Sequence, residues 1–157
     1  MSTKIKTEEV DKLIIGRVKP SIYAFTTNMV PNYLKVGDTY RPVAVRLAEW
    51  KKIYPDLKKE FEDTATLTDD VFFRDYSIHH YLEYYLHKHR LLPAEIPSDV
   101  YYSREFFANT ESGDVSAAIE DIRIDFESNA GKYVLYDSNT KLPERQIYAS
   151  TGEWDPR

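Results

Sequence analysis

The sequence predicts an α+β domain built around a small sheet flanked by helices, and three observations carry that reading. Two short β-prone runs in "SIYAFTTNMVPNYLKVGDT", residues 21–39, are joined by a connection containing Pro and Asn. Apolar residues recur at i, i+4 and i+7 soon afterwards, as on one face of a helix. Strand-like and helix-like segments then alternate as far as "KYVLYDS". At 157 residues and 42% hydrophobic, the chain supports one domain with a real core and is too short for two.

Residues 3–12 read as a short polar helix or frayed arm, and "LIIGRV", residues 13–18, as a strand or an extended segment along a sheet edge. In the hairpin, period-2 alternation puts Tyr23 of the first run, and Tyr33 and Lys35 of the second, on one face. Leu34 and Val36 take the other face, which is expected to meet the core. In "DTYRPVAVRLAEWKKI", Thr39 is the cap candidate, Pro42 lies in the first turn, and Val43, Leu47 and Trp50 share a helical face. "DLKKEFEDTATL" reads as a charged third strand. "TDDVFFRDYSIHHYLEYYLHKH" reads as a longer helix, with Thr68 as N-cap and Asp69 and Asp70 near the positive end of its dipole. A Pro-interrupted loop and strand, "LLPAEIPSDVYYSREFF", a helix, "DVSAAIEDIRIDFES", and the strand "KYVLYDS" follow.

Composition excludes several classes. A net charge of −5 and a pI near 5.4 argue against a protein that holds nucleic acid by a broad basic field. Cysteine is absent, so there is neither a disulfide framework nor a zinc-thiolate site, and an intracellular, cytoplasmic protein is expected. No stretch is long and apolar enough for a membrane span or a signal-peptide core, so no membrane partner is expected.

One residue breaks the pattern. Val71, Ile78, Leu82 and Leu86 form an apolar stripe along the longer helix, and Asp75 falls inside it. A buried carboxylate is costly unless it is paired, hydrogen-bonded or bound to a cation. Asp75 is therefore either a salt bridge or cap within the core, or a metal ligand or catalytic carboxylate at the mouth of a cleft. His79 lies one turn further on, either beside Asp75 in the site or as a packed imidazole.

A hairpin with Tyr23 and Lys35, a helix with Arg46 and a second helix with Asp75 together resemble the GIY-YIG nuclease superfamily. Ser21-Ile22-Tyr23 stands where the family has G-I-Y, and Lys35-Val36-Gly37 where it has Y-I-G, at the usual interval. Arg46 takes the place of the helix arginine and Asp75 that of the metal-binding glutamate. The segments "YLKVGDT", "DYSIHHYL" and "SREFF" are similar to a phage- and bacterial-type subfamily whose second motif reads K-I-G. The family's late asparagine has no clear counterpart; Asn109 is the candidate.

This resemblance implies a mainly antiparallel sheet of about three core strands flanked by helices. Residues 20–128 would be the nuclease-like domain, with an N-terminal extension over 1–19 and a C-terminal strand and tail over 129–157. It implies a metal-dependent endonuclease acting on DNA, with Asp75 holding Mg²⁺ (or Mn²⁺). Tyr23 would orient or deprotonate the attacking water, assisted by Lys35 and Arg46, with His79 nearby. Arg46 would also bind a non-bridging phosphate oxygen.

Nucleic acid is expected to meet a local cluster from hairpin to first helix, with Tyr33, Arg41, Lys51 and Lys52 as its binding residues. The turn-rich tail "KLPERQIYASTGEWDPR" suggests a domain of a larger DNA-processing protein, one carrying a helicase motor for example. Two rival readings stand beside the nuclease. One is a non-catalytic interaction module that keeps the fold with a degraded site, to which Lys35 and Asp75 point. The other is an unrelated scaffold in which Tyr23, Arg46 and Asp75 never meet.

Overall fold

The computed structural model describes residues 19–137. The segments read as 3–12, 13–18 and the C-terminal tail lie outside the described residues. Four antiparallel strands, β1 (Ser21–Thr26), β2 (Tyr33–Thr39), β3 (Lys58–Thr64) and β5 (Phe106–Ala108), form one sheet in the order β3-β1-β2-β5. The short strands β4 (Val71–Phe72) and β6 (Tyr136–Asp137) pair separately. Three helices flank the sheet: α1 (Val43–Lys51), α2 (Asp75–His80, continued by a π-helical turn over Tyr81–Tyr85) and α3 (Ser112–Ser128). Among the described residues no helix is long and apolar enough to cross a membrane.

Alternation in the hairpin sorts side chains between two cores. Ile22, Ala24, Leu34 and Val36 pack with Ile78 and Leu82 of α2 and with Val115, Ala118, Ile119 and Ile122 of α3. Tyr23 and Phe25 pack on the other face with Val43, Leu47 and Trp50 of α1. Both faces are therefore covered, and Lys35 is fully buried on the second one. β3 remains an exposed edge whose Lys, Glu and Asp side chains discourage further strand pairing.

Two helix starts differ from the sequence reading. Thr39 ends β2, and its hydroxyl accepts the Arg41 amide (3.0 Å) instead of capping α1; Pro42 occupies the cap position. The second helix begins at Asp75, not Thr68. Thr68 closes a turn by accepting the Asp70 and Val71 amides (3.2 and 3.1 Å), and Val71 and Phe72 are drawn into pairing with β6. At its far end the helix stops before His87, which has positive φ. α3 begins with a capping box, in which the Glu111 amide donates to Asp114 (2.9 Å), and ends at Asn129 in the left-handed conformation.

Candidate active site

β5 pairs with only Tyr33, Leu34 and Lys35, so β2 runs on past it with an open edge. Two other segments dock on that edge at Val36. Its amide donates to the Glu105 carbonyl (3.0 Å), and its carbonyl accepts from His79 Nε2 (2.8 Å). The first contact fixes the loop before β5, and the second fixes α2. Ligand atoms of Asp75, His79 and Glu105 thereby come within 4.8 Å of one another at the wall of a cleft of about 270 Å³.

A carbonyl only accepts, so His79 Nε2 carries the hydrogen and Nδ1 keeps its lone pair. Burial pushes the His79 pKa down to about 4, which leaves the ring neutral at pH 7. This is the state and second-partner arrangement of a metal-ligating imidazole. Asp75 is 3% exposed, and its Oδ1 has no hydrogen-bond partner. Burial first, then the Asp38 and Glu105 charges, hold its pKa well above the ordinary carboxylate range; Arg74 and Lys35 only partly offset them.

Asp38 anchors the start of α2. It accepts from Arg74 Nε (2.6 Å) and from the Asp75 amide (3.0 Å), so a buried ion pair and a helix-end bond share one carboxylate. Lys35 does not border the cleft; its Nζ bonds Glu105 Oε1 at 2.7 Å and lies 4.0 Å from the Trp50 ring centroid. Three carboxylates thus face two cations, each already ion-paired with one of them. The donor set and the orphaned Asp75 oxygen fit a divalent cation.

Across the cleft, Tyr23 Oη accepts from Trp50 Nε1 (2.8 Å), which directs the phenolic proton elsewhere. The Arg46 guanidinium lies beside it, 4.8 Å from the Trp50 ring, with Nη1 bonded to Glu49 (3.0 Å). Burial alone would weaken that charge, but the Tyr23 and Glu49 oxygens outweigh it and raise the arginine pKa.

Gly37, opposite Tyr23 in the hairpin register, makes room for this ring. A Cβ there would sit 2.7 Å from Tyr23 Oη, 2.8 Å from its Cζ and 3.3 Å from Lys35 Nζ. Gly37→Ala is expected to displace Tyr23 from Trp50 and cost about 1–3 kcal/mol, the usual range for an overpacked core. Urea unfolding checks this, and an unchanged midpoint would show that the ring yields freely.

Tyr23, Arg46, Asp75 and His79 all border one cleft, so the scaffold in which they never meet is overturned. The expected binding residues are dispersed. Tyr33 shares its face with Lys35 but lies at the hairpin end, in a separate hollow with Asn32 and Asn109. Arg41 reaches the site only indirectly, through the Glu49 oxygen it shares with Arg46 (2.6 Å). Lys51 and Lys52 are exposed at the end of α1, away from the cleft, and Lys51 lines a shallow groove with Leu47 and Leu57. Arginines 74, 90 and 104 border the cleft instead.

Sequence reasoning also missed Glu105, although "SREFF" carried it, and Asp38, which directly follows Gly37. No family model, curated protein or solved structure matches the chain.

Proposed function

We propose that the cleft is the active site of a metal-dependent endonuclease of GIY-YIG type that hydrolyses phosphodiester bonds in DNA. The observation that carries this reading is the buried Asp75 oxygen without a hydrogen-bond partner, grouped with His79 and Glu105. A divalent cation held by Asp75, His79 Nδ1 and Glu105 would supply Lewis acidity and positive charge at a phosphate oxygen. The imidazole among the donors moves the preference from Mg²⁺, an oxygen-seeking cation, towards Mn²⁺.

The chain's own groups supply the rest. Arg46 offers its planar fork to a non-bridging phosphate oxygen as negative charge grows there. The Tyr23 hydroxyl, free to turn its proton from Trp50, holds the attacking water against the phosphorus. Lys35 holds the Glu105 carboxylate in place through their ion pair. Because most of the arginines that border the cleft are already ion-paired, delivery to DNA falls to another domain or a partner protein.

The Lys35–Glu105 and Arg74–Asp38 pairs favour a second reading, in which a protonated Asp75 completes a neutral site in a non-catalytic interaction module. Incubation of purified protein with branched, single-stranded and duplex DNA in Mn²⁺ or Mg²⁺, beside Tyr23→Phe, separates the two. The nuclease reading expects faster cutting in Mn²⁺ and a loss of about 100-fold or more in Tyr23→Phe. Binding without cutting in either metal would favour the module.

A further inference from the structure

Tyr76, His80 and Tyr84 recur every fourth residue along α2, and all three border the cleft. Tyr76 is 49% exposed and Tyr84 67%. The His80 and Tyr84 rings lie 4.5 Å apart and tilted by 31°, while Arg74 holds Tyr76 from 5.4 Å. The helix widens into its π-helical turn, with the Leu86 amide bonded to the Tyr81 carbonyl (3.1 Å), at the residues that carry the last ring. Such turns cost regular hydrogen bonding and concentrate at functional sites.

Charge around these rings is scarce. Of the four arginines bordering the cleft, Arg74 is bonded to Asp38, Arg90 to Glu83 (2.8 Å) and Arg46 to Glu49. Arg104 is exposed and forms no ion pair among the described residues. A surface that tracks a duplex backbone neutralises about 6–10 phosphates, and this cleft has cations for one or two. Stacking must supply what charge does not, and bases inside a duplex have no free faces to stack.

We infer that the α2 wall is a base-stacking platform and that the cleft takes unpaired polynucleotide, with bases on Tyr84, which His80 backs, and on Tyr76, leading to the Asp75 group. The inference deepens the nuclease reading by naming the substrate's structure, and it rests on that reading for the ligand's class. It requires no cleavage.

The test is fluorescence anisotropy in EDTA with a short labelled oligothymidine, oligouridine and a duplex of equal length. Single strands are expected to bind more tightly than duplex, with a log–log salt slope between about −0.7 and −1.4 for one or two phosphates. Tyr84→Leu should weaken single-strand binding about tenfold or more, and Tyr84→Phe should keep it. Equal or tighter binding of duplex, a steep salt slope, or an unchanged Tyr84→Leu would overturn the platform. Oligouridine extends the test to an RNA strand, and preference for either single strand over duplex upholds the inference. Because tyrosine 84 is largely exposed, its loss leaves the core intact. Strand binding in EDTA with no cutting once Mn²⁺ or Mg²⁺ is supplied would sink the nuclease reading and leave the platform standing.

Discussion

Asp75→Asn is expected to abolish metal-dependent cleavage and at the same time to make the metal-free protein more stable. The buried carboxylate faces Asp38 and Glu105, and its Oδ1 has no hydrogen-bond partner. Amide replacement removes the charge and offers donors to a surrounding rich in acceptors. A gain of about 1–3 kcal/mol follows, the usual scale for an uncompensated buried polar group. For a domain of this size that is a rise in Tm on the order of 5 °C in EDTA.

The sign with pH is also set. Asp75 has a folded pKa above its unfolded value, so its contribution is most favourable below the unfolded value and is lost as pH rises. The advantage of Asn therefore grows as pH rises above the ordinary carboxylate range and shrinks as pH falls towards it. Added Mn²⁺ should raise Tm in the wild type and leave Asp75→Asn unmoved. A variant less stable than wild type at pH 7 in EDTA would show that Asp75 is a structural ion-pair member. Stability surrendered for function is common at active sites.

Lys35→Met should have the largest effect on folding. Lys35 is 0% exposed, ion-paired with Glu105 at 2.7 Å and seated on the Trp50 ring. Truncating one partner of such a pair costs about 3–5 kcal/mol when both are buried. Glu105 retains 17% side-chain exposure, which puts the expected loss near the lower end, at about 3 kcal/mol. Urea unfolding should show this as a midpoint lower by about 1.5 M. Lys35→Met/Glu105→Gln removes both charges and should recover most of the stability, so a double-mutant cycle isolates the pair. Activity should stay lost in the double variant, because Glu105 is a candidate ligand. A single variant within about 0.5 kcal/mol of wild type would mean that the ion pair contributes nothing net.

Short-range patterns are legible in the sequence. Alternation assigned Leu34 and Val36 to one face and Tyr23 and Lys35 to the other, because a strand repeats every two residues whatever surrounds it. Val43, Leu47 and Trp50 placed α1 for the same local reason. The burial of Asp75 was anticipated through a stripe that began at Val71, a residue that lies in β4. The expectation survives because Asp75, Ile78 and Leu82 still share a helical face without Val71.

Contacts between elements were not legible. Whether Val71 and Phe72 extend a helix or pair as a strand depends on Tyr136 and Asp137, remote in the chain. Tyr33 and Lys35 have the same local pattern, yet only Lys35 reaches Glu105, because β5 begins beside it. Lys51 and Lys52 lie close in sequence to Arg46, but the turn of α1 carries them from the cleft.

The sequence by itself determined the hairpin strands, the charged third strand and the apolar helix faces, since backbone periodicity is a local property; Asp75 stood out by breaking an apolar stripe with His79 one turn on, and the roles of Tyr23, Lys35 and Arg46 came from a family resemblance. Only the tertiary structure decided that Glu105 joins Asp75 and His79, that Asp38 holds Arg74, and that a row of tyrosines opens onto the cleft. Those decisions rest on where β5 begins and which backbone atoms of Val36 remain for other segments to bond, and such long-range hydrogen bonding leaves no period in the sequence.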